Sequence, residues 1–153
     1  MGLWFVMGTY SQRSLEGKFA EIEFEKECLK RGLNIAKPVI DNQPGWDYIV
    51  DFGDGLKKVQ VKKIGRNYNN HKKEYKVLQL NGKTSYKRVD GSWTHTTWQY
   101  NKDSYDFLVG VDLELLEMYL FPYSVLEGLT RTQTPVGGQK YKTGLDWSLY
   151  KWK

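Results

Sequence analysis

A carboxylate, an amide and an ammonium group occur in this chain at a spacing that suits two paired strands. Asp47 is followed, after twelve residues, by Gln60 and then by Lys62. Gln60 and Lys62 alternate with Val59 and Val61, so the two polar side chains share one face of a predicted strand. Oxygen atoms of the first two groups suit a hard cation such as Mg²⁺, and the ammonium suits the negative charge that develops in phosphodiester hydrolysis.

The turn between the two strands decides which side chain faces Asp47. A two-residue turn at Asp54-Gly55, a strong hairpin signal, places Asp47 opposite Lys62, with Gln60 diagonal on the same face. A turn at Gly53-Asp54 places Asp47 opposite Gln60 instead, again on that face. Both registers predict that the three groups meet, and only a three-residue loop without a compensating bulge would separate them.

A helix beside these strands is predicted over 13–31. Its apolar residues recur at helical spacing and should form one buried face, made of Leu15, Phe19, Ile22 and Leu29. Gly32 follows Lys30-Arg31 and is expected to end the helix. Near the other terminus, a short helix is predicted from the spacing of Leu145, Leu149 and Trp152.

The remaining elements are predicted strands joined by turns. The strands are expected at 33–40, 46–52, 57–64, 75–80, 84–89, 92–100, 106–111 and 118–121. Asn81-Gly82 predicts a second hairpin turn and Asp90-Gly91 a third, whereas residues 65–74 are expected to be irregular. Mixed helix and strand segments of this kind predict an α/β domain.

Length and composition predict one domain over 1–153, with 40% hydrophobic and 27% charged residues. No apolar run approaches the roughly 20 residues of a membrane helix, so no membrane partner is expected. A lone cysteine, Cys28, excludes an internal disulfide and suits a cytoplasmic protein of bacterial type. Two histidines, His71 and His95, argue against a His-rich zinc site.

Positive charge is concentrated in the middle of the chain. Residues 57–102 hold 12 Lys and Arg against two Asp and Glu, while both flanking segments are acidic. Tyr and Trp residues are interleaved with these cations, as expected of a surface that binds a polyphosphate backbone and bases. A solvated basic face without a ligand is the alternative.

From about Gly17 to Lys63 the chain resembles the PD-(D/E)XK nuclease superfamily. Gly17-Lys18-Phe19-Ala20-Glu21 is similar to the first-helix motif of that family, and Gly45-Trp46-Asp47-Tyr48-Ile49-Val50 to its aspartate strand. Val59-Gln60-Val61-Lys62 resembles the strand with the (D/E)XK element. The glutamine variant, the small size and the long basic insertion are most similar to the branch of group I intron homing endonucleases.

The resemblance implies a restriction-endonuclease-like core, in which a central mixed sheet is flanked by helices and a basic β-hairpin is inserted at about 65–100. It implies Mg²⁺ or Mn²⁺ held by Asp47 and Gln60 with help from Glu21, a catalytic Lys62 that positions water, and no small-molecule cofactor. Gln60 replaces the usual acid, which leaves the metal one negative charge short. Glutamates on helices are often simply exposed to solvent, so the assignment of Glu21 to the metal site depends on its spacing in the motif.

The implied function is site-specific cleavage of double-stranded DNA by a homo-oligomer, a dimer or a tetramer. The expected DNA-contacting residues are Lys63, Arg66, Lys72, Lys73, Lys76, Lys83, Lys87, Arg88 and Trp93. The aromatic tail, with Trp147, Tyr150 and Trp152, is expected either to form the oligomer interface or to pack on its own core. A Holliday-junction resolvase, a non-cleaving DNA-binding protein and an RNA-binding protein remain alternatives.

Overall fold

A computed structural model describes residues 12–39, 45–135 and 145–153, and the side chains of 12–14 and 83–86 are outside this description. The helical segments are α1 (Gln12–Lys30), α2 (Tyr123–Leu126) and a 3₁₀ turn (Trp147–Tyr150). The strands are β1 (Asn34–Ala36), β2 (Tyr48–Asp51), β3 (Leu56–Lys63), β4 (Gly65–Tyr68), β5 (Glu74–Gln79), β6 (Asn81–Lys87), β7 (Trp93–Gln99), β8 (Phe107–Asp112), β9 (Glu117–Pro122) and β10 (Arg131–Gln133).

A five-stranded mixed sheet, in the order β1-β2-β3-β8-β9, forms the centre of the fold. Strands β3 and β8 are parallel, and the other neighbours are antiparallel. The β8 strand is buried along almost its whole length, as expected of a strand covered on both faces. The predicted mixed α/β fold with a central mixed sheet is therefore confirmed.

Helix α1 covers one face of this sheet, but with a different set of side chains from the predicted one. Ala20, Phe24 and Cys28, spaced at i, i+4 and i+8, are fully buried against the sheet valines. The Phe24 ring lies 5.4 Å from that of Tyr48. The predicted buried face is wrong, because three of its four residues are exposed, namely Phe19, Ile22 and Leu29.

The helix carries two overlapping apolar stripes, and the sheet selects the one that contains the small residues Ala20 and Cys28. Small side chains let the helix backbone approach a sheet closely, whereas the stripe with Leu29 would hold it further away. The end of the helix is as predicted. Gly32 adopts a left-handed φ of 70°, and the N–H of Leu33 donates to the Cys28 carbonyl at 2.9 Å.

The second face of the central sheet is covered by a three-stranded sheet, β10-β5-β4, and by the aromatic tail. Trp147 is 2% exposed, and its indole N–H donates to the Thr132 hydroxyl at 2.9 Å. The predicted C-terminal helix is wrong: the segment forms only a 3₁₀ turn, in which Leu149 is exposed. Trp147 is held on this face by ring contacts with Tyr119 at 5.3 Å and Phe121 at 5.4 Å, whereas Trp152 packs against Phe24 on the α1 side at 5.9 Å.

Two predictions for the middle of the chain also need correction. Residues 65–68 are not irregular, because they form β4 and pair with β5. Asn81-Gly82 is not a turn, since both residues open β6, which pairs with β7. The Asp90-Gly91 turn is confirmed, with the Arg88 N–H donating to the Ser92 carbonyl at 2.7 Å. Within the described ranges, no helix is both long and apolar enough to span a membrane.

A buried ion cluster joins the central sheet to the three-stranded sheet. Asp112 at the end of β8 has no exposed side-chain surface, and its carboxylate lies 2.6 Å from Arg66 and 2.9 Å from Lys76. Burial alone would raise the pKa of Asp112, but these two cations lower it to about 2. The carboxylate is therefore fully compensated, and its role is structural.

We expect Asp112→Asn to lower the free energy of unfolding at pH 7 by about 3 kcal/mol, because it removes the buried anion between Arg66 and Lys76 and leaves them only their more exposed carboxylate partners. The pKa of Asp112 is lowered in the folded state, so its contribution is complete above pH 4 and is lost as the pH falls toward 2. Urea denaturation of both proteins from pH 7 to pH 3 measures this. Asp54→Asn, at an exposed loop position, is the control and should change nothing.

Candidate active site

The β2–β3 pairing sets the position of Asp47 relative to β3. Tyr48 pairs with Val59 and Ile49 with Lys58, and the ladder ends at Tyr48, the residue directly after Asp47. The main-chain N–H of Asp47 donates to the Val59 carbonyl at 2.8 Å. The register expected from a turn at Gly53-Asp54 is thus confirmed, and the one that placed Asp47 opposite Lys62 is wrong.

Backbone conformation explains why the first turn signal failed. Gly53 and Gly55 both have a positive φ, 108° and 115°, so the loop uses glycine at two positions rather than one. The side chain of Asp51 accepts from the Gly53 N–H at 2.8 Å and closes the loop one residue earlier than expected. Asp54-Gly55 therefore lies within the loop, and its sequence does not decide the register.

Main-chain contacts fix both the carboxylate of Asp47 and the chain segment that leads to it. Its Oδ2 accepts from the Val61 N–H at 2.8 Å, which orients the carboxylate along β3. Gly45, two residues earlier, has a φ of 108°, and a Cβ built there would lie 3.0 Å from the Ser104 carbonyl oxygen. Glycine is needed at this close approach, and it delivers the chain to Asp47.

Glu21 of α1 lies in the electrostatic field of Asp47. Burial raises the pKa of Glu21, and the negative charge of Asp47 raises it further, although Lys18 and Lys37 partly oppose this. Burial also raises the pKa of Asp47 despite the Val61 N–H and the charge of Lys62. Unlike Asp112, these two half-buried carboxylates are incompletely compensated.

Gln60 and Lys62 project from the same face of β3 as predicted, while Val59 and Val61 are buried. The Gln60 amide nitrogen donates to the Val61 carbonyl at 3.4 Å. The Lys62 ammonium donates to the main-chain carbonyl of Asn81 at 2.8 Å. The structure thus brings Asp47 near Lys62 and Glu21, and Gln60 lies on the same strand and face as Lys62.

Two residues of the site were not predicted. Tyr100 lies with its ring centroid 5.3 Å from the Lys62 Nζ, and burial, followed by the charge of Asp47, raises its pKa to about 12. Asn81 contributes its main-chain oxygen, and such a contact cannot be predicted from the type of the side chain. Tyr100 was one of many aromatic residues in the basic segment, and no spacing rule distinguished it.

The oxygen donors of the site suit a hard divalent cation. Asp47 and Glu21 supply two carboxylates whose charged forms are disfavoured by burial and, for Glu21, by the charge of Asp47, a cost that a bound cation would remove. Within the described part of the chain, no cluster of three or more His, Cys, Asp and Glu side chains is present. Further protein ligands here would be neutral oxygens, such as the Gln60 amide oxygen or a main-chain carbonyl.

The predicted DNA-contacting residues fall into two groups. Lys63 forms an ion pair with Glu16 of α1, and Arg66 and Lys76 are engaged with Asp112. These three cations are bound to acidic groups of the protein body.

The second group is exposed. Lys72 and Lys73 lie in the β4–β5 turn, and Lys87, Arg88 and Trp93 lie on the β6–β7 hairpin. Lys83 also lies on this hairpin, but its side chain is outside the described atoms. The hairpin forms a separate two-stranded sheet, and the face of β7 that bears Trp93 and His95 is exposed along its whole length.

Comparison with known proteins assigns the family. The family described as PD-(D/E)XK endonuclease matches residues 11–137, which is most of the chain. The chain belongs to the PD-(D/E)XK endonuclease family. This confirms the family resemblance and the prediction that the protein is an endonuclease.

The fold of this PD-(D/E)XK endonuclease is similar to that of a bacterial homing endonuclease, I-Ssp6803I. The TM-score is 0.69, and the match covers 92% of this chain and 89% of that chain at 21% sequence identity. At this identity the likeness concerns the fold. No curated protein sequence matches the chain.

We expect Asp47→Asn and Glu21→Gln each to raise the thermal midpoint by a few degrees at pH 8 in EDTA. The pKa of each carboxyl group is raised in the folded state, so its ionisation at high pH costs stability, and the amide removes that cost. In the Asp47→Asn variant, the new amide oxygen can still accept the Val61 N–H. Calorimetry at pH 8 and at pH 4 measures the gain, which should shrink at the lower pH. A midpoint lowered at pH 8 would contradict the assignment.

Proposed function

We propose that this protein is a Mg²⁺-dependent, site-specific double-strand DNA endonuclease of the homing type. The observation that carries the proposal is the contact of the Asp47 carboxylate with the Val61 N–H, at the stretch of β3 that bears Gln60 and Lys62 on one face. Glu21 approaches the same place from α1. Family membership and a fold similar to that of a bacterial homing endonuclease support the assignment.

Each side chain has a distinct role in this proposal. Asp47, Gln60 and Glu21 would hold Mg²⁺, or Mn²⁺ in its place, through oxygen atoms. A bound Mg²⁺ supplies a Lewis acid beside the scissile phosphate. Lys62 orients the attacking water and places its positive charge where the negative charge of the transition state develops. No small-molecule cofactor is needed for these roles.

The β6–β7 hairpin is the proposed DNA-reading element. A two-stranded ribbon fits the major groove, where base pairs present distinct hydrogen-bonding patterns. Lys87 and Arg88 are exposed near its tip, and Trp93 is 61% exposed. The turn residues Lys72 and Lys73 extend the basic surface. Arg66 and Lys76 contribute less in this proposal, because they are already paired with carboxylates of the protein itself.

We expect Lys62→Ala to slow cleavage by at least about a hundredfold while leaving DNA affinity within about twofold, because the charge acts mainly in the transition state. The assay incubates the protein with mixed linear DNA, with and without Mg²⁺, and sequences the ends. Lys57→Ala is the matched control, because Lys57 lies on the same strand but on the opposite face. Cleavage by Lys62→Ala at the wild-type rate would contradict the assignment.

The same assay separates the alternative functions. Discrete ends that require Mg²⁺ indicate a site-specific nuclease. Cuts confined to branched DNA indicate a resolvase, and tight binding without cuts indicates a DNA-binding protein. Binding of RNA in preference to DNA would indicate the RNA-binding alternative.

We expect Lys87→Glu and Arg88→Glu to weaken DNA binding and to make its salt dependence shallower. Each lost phosphate contact should reduce the slope of log affinity against log salt by about 0.9. Fluorescence anisotropy at several salt concentrations measures the slope. Lys30→Glu, an exposed charge reversal on α1, is the control. Unchanged slopes in both hairpin variants would place the DNA elsewhere.

We also propose that the active protein is a homo-oligomer, a dimer or a tetramer. One Asp47–Gln60–Lys62 set serves one strand, and a two-fold axis would supply the second. The aromatic tail is a poor candidate interface, since Trp147 is buried in its own core. The exposed stripe of α1, with Phe19, Ile22 and Leu29, is the better candidate, and light scattering of the free protein and of its DNA complex tests the assembly.

A further inference from the structure

Both ends of the β6–β7 hairpin contact the side chain of Lys62. Asn81, the first residue of β6, accepts a hydrogen bond from the Lys62 ammonium through its main-chain oxygen at 2.8 Å. Tyr100 directly follows the last residue of β7, and its ring centroid lies 5.3 Å from the same nitrogen. In the register of the hairpin, Asn81 pairs with Gln99, so the two contacts come from adjacent positions across one stem.

The stem is shaped by close packing at its base. A Cβ built on Gly82 would lie 2.1 Å from the Trp98 indole, so glycine is required where the two strands cross this ring. Trp98 in turn lies 6.4 Å from the Tyr100 ring, edge to face. The geometry of the hairpin base therefore determines where the Tyr100 ring is placed.

Tyr100 is also held from the side of the protein body. Its ring contacts that of Tyr105 at 5.4 Å, and Tyr105, which is 2% exposed, contacts Tyr123 at 5.5 Å. The Tyr123 hydroxyl donates to the Tyr100 carbonyl at 3.5 Å. These contacts fix the Tyr100 ring between the core and the hairpin.

An ammonium group over an aromatic face is attracted by the negative potential of the ring. A lysine side chain has many rotamers, and a group that restricts them places the charge more reproducibly at the reacting centre. The Asn81 carbonyl accepts one N–H of the Lys62 ammonium and thereby sets its direction. The Tyr100 ring sets how far the ammonium lies from the hairpin stem. The exposed Lys87, Arg88 and Trp93 lie at the other end of the same hairpin.

We propose that Tyr100 is a positioning residue for Lys62, and that the hairpin stem thereby couples DNA reading to the placement of the catalytic ammonium. The inference rests on the proposed function for the role of Lys62. Movement of the hairpin on DNA is transmitted to Lys62 through the Asn81 carbonyl and the Tyr100 ring. A target that fails to seat the hairpin leaves the ammonium displaced from Asp47 and Gln60.

The test replaces the ring and keeps the bulk. Tyr100→Leu and Tyr100→Met remove the aromatic face, Tyr100→Phe retains it, and Tyr150→Leu removes a half-buried ring that contacts Phe121 instead. We expect the single-turnover cleavage rate at saturating DNA to fall about tenfold in the Leu and Met variants. It should be rescued in Tyr100→Phe and remain unchanged in Tyr150→Leu, and DNA affinity without Mg²⁺ should stay within about twofold of wild type in all four.

A second readout does not depend on activity. Protons on the Lys62 Cε lie near the ring face, so their NMR resonance, identified by its loss in Lys62→Arg, should be shifted upfield in the wild type and in Tyr100→Phe. The shift should vanish in Tyr100→Leu or Tyr100→Met. If neither of these variants folds, the position of the wild-type resonance alone decides.

The outcomes separate this inference from the proposed function. The positioning role would be overturned if the wild type cuts DNA and the Tyr100→Leu and Tyr100→Met variants cut it equally fast. A Lys62 resonance at the position of an exposed lysine would also overturn it. If no DNA is cut by the wild type, the proposed function fails, while a ring-shifted Lys62 resonance that depends on Tyr100 would still support the contact.

Discussion

The pairing of β2 with β3 positions Asp47 beside β3, where its carboxylate accepts from the Val61 N–H, and the buried side chains of the same strands keep the register from slipping. Tyr48, Val50, Val59 and Val61 are almost fully buried against α1 and the neighbouring strands. A slip by one residue would turn Gln60 and Lys62 into the core and the two valines out of it. Each buried valine contributes about 1.5–3 kcal/mol, so the hydrophobic core fixes the polar site.

Two classes of buried carboxylate in this molecule show where stability and function diverge. Asp112 has two cations within 3 Å and its pKa is about 2, so its charge strengthens the junction between the sheets. The pKa values of Asp47 and Glu21 are raised chiefly by burial, and that of Glu21 also by the charge of Asp47, and nearby groups do not offset this. Ionisation of these two carboxylates lowers the stability of the fold, and a bound cation would remove that cost, as expected of a functional site.

The sequence predicts correctly which side chains share a face of a single strand. It predicts less well how one element is placed against another. The shared face of Gln60 and Lys62 followed from the period of a strand and from Val59 and Val61. The register was open because glycines at 53 and 55 allow more than one loop. The apolar stripe of α1 was misassigned, since Phe19, Ile22 and Leu29 recur as regularly as Ala20, Phe24 and Cys28, and only the sheet distinguishes them. Tyr100 and the Asn81 carbonyl reach Lys62 through tertiary contacts that no local pattern encodes.

In the proposed function, Asp47 and Gln60 form a divalent cation site. Titration of the free protein with Mn²⁺, followed by paramagnetic broadening of the backbone amide resonances, tests this site most directly. We expect the amides of residues 47–48 and 60–62 to broaden first, and Asp47→Asn to abolish the effect. Broadening that begins elsewhere, for example at Glu114 and Glu117, or that persists in Asp47→Asn, would contradict it.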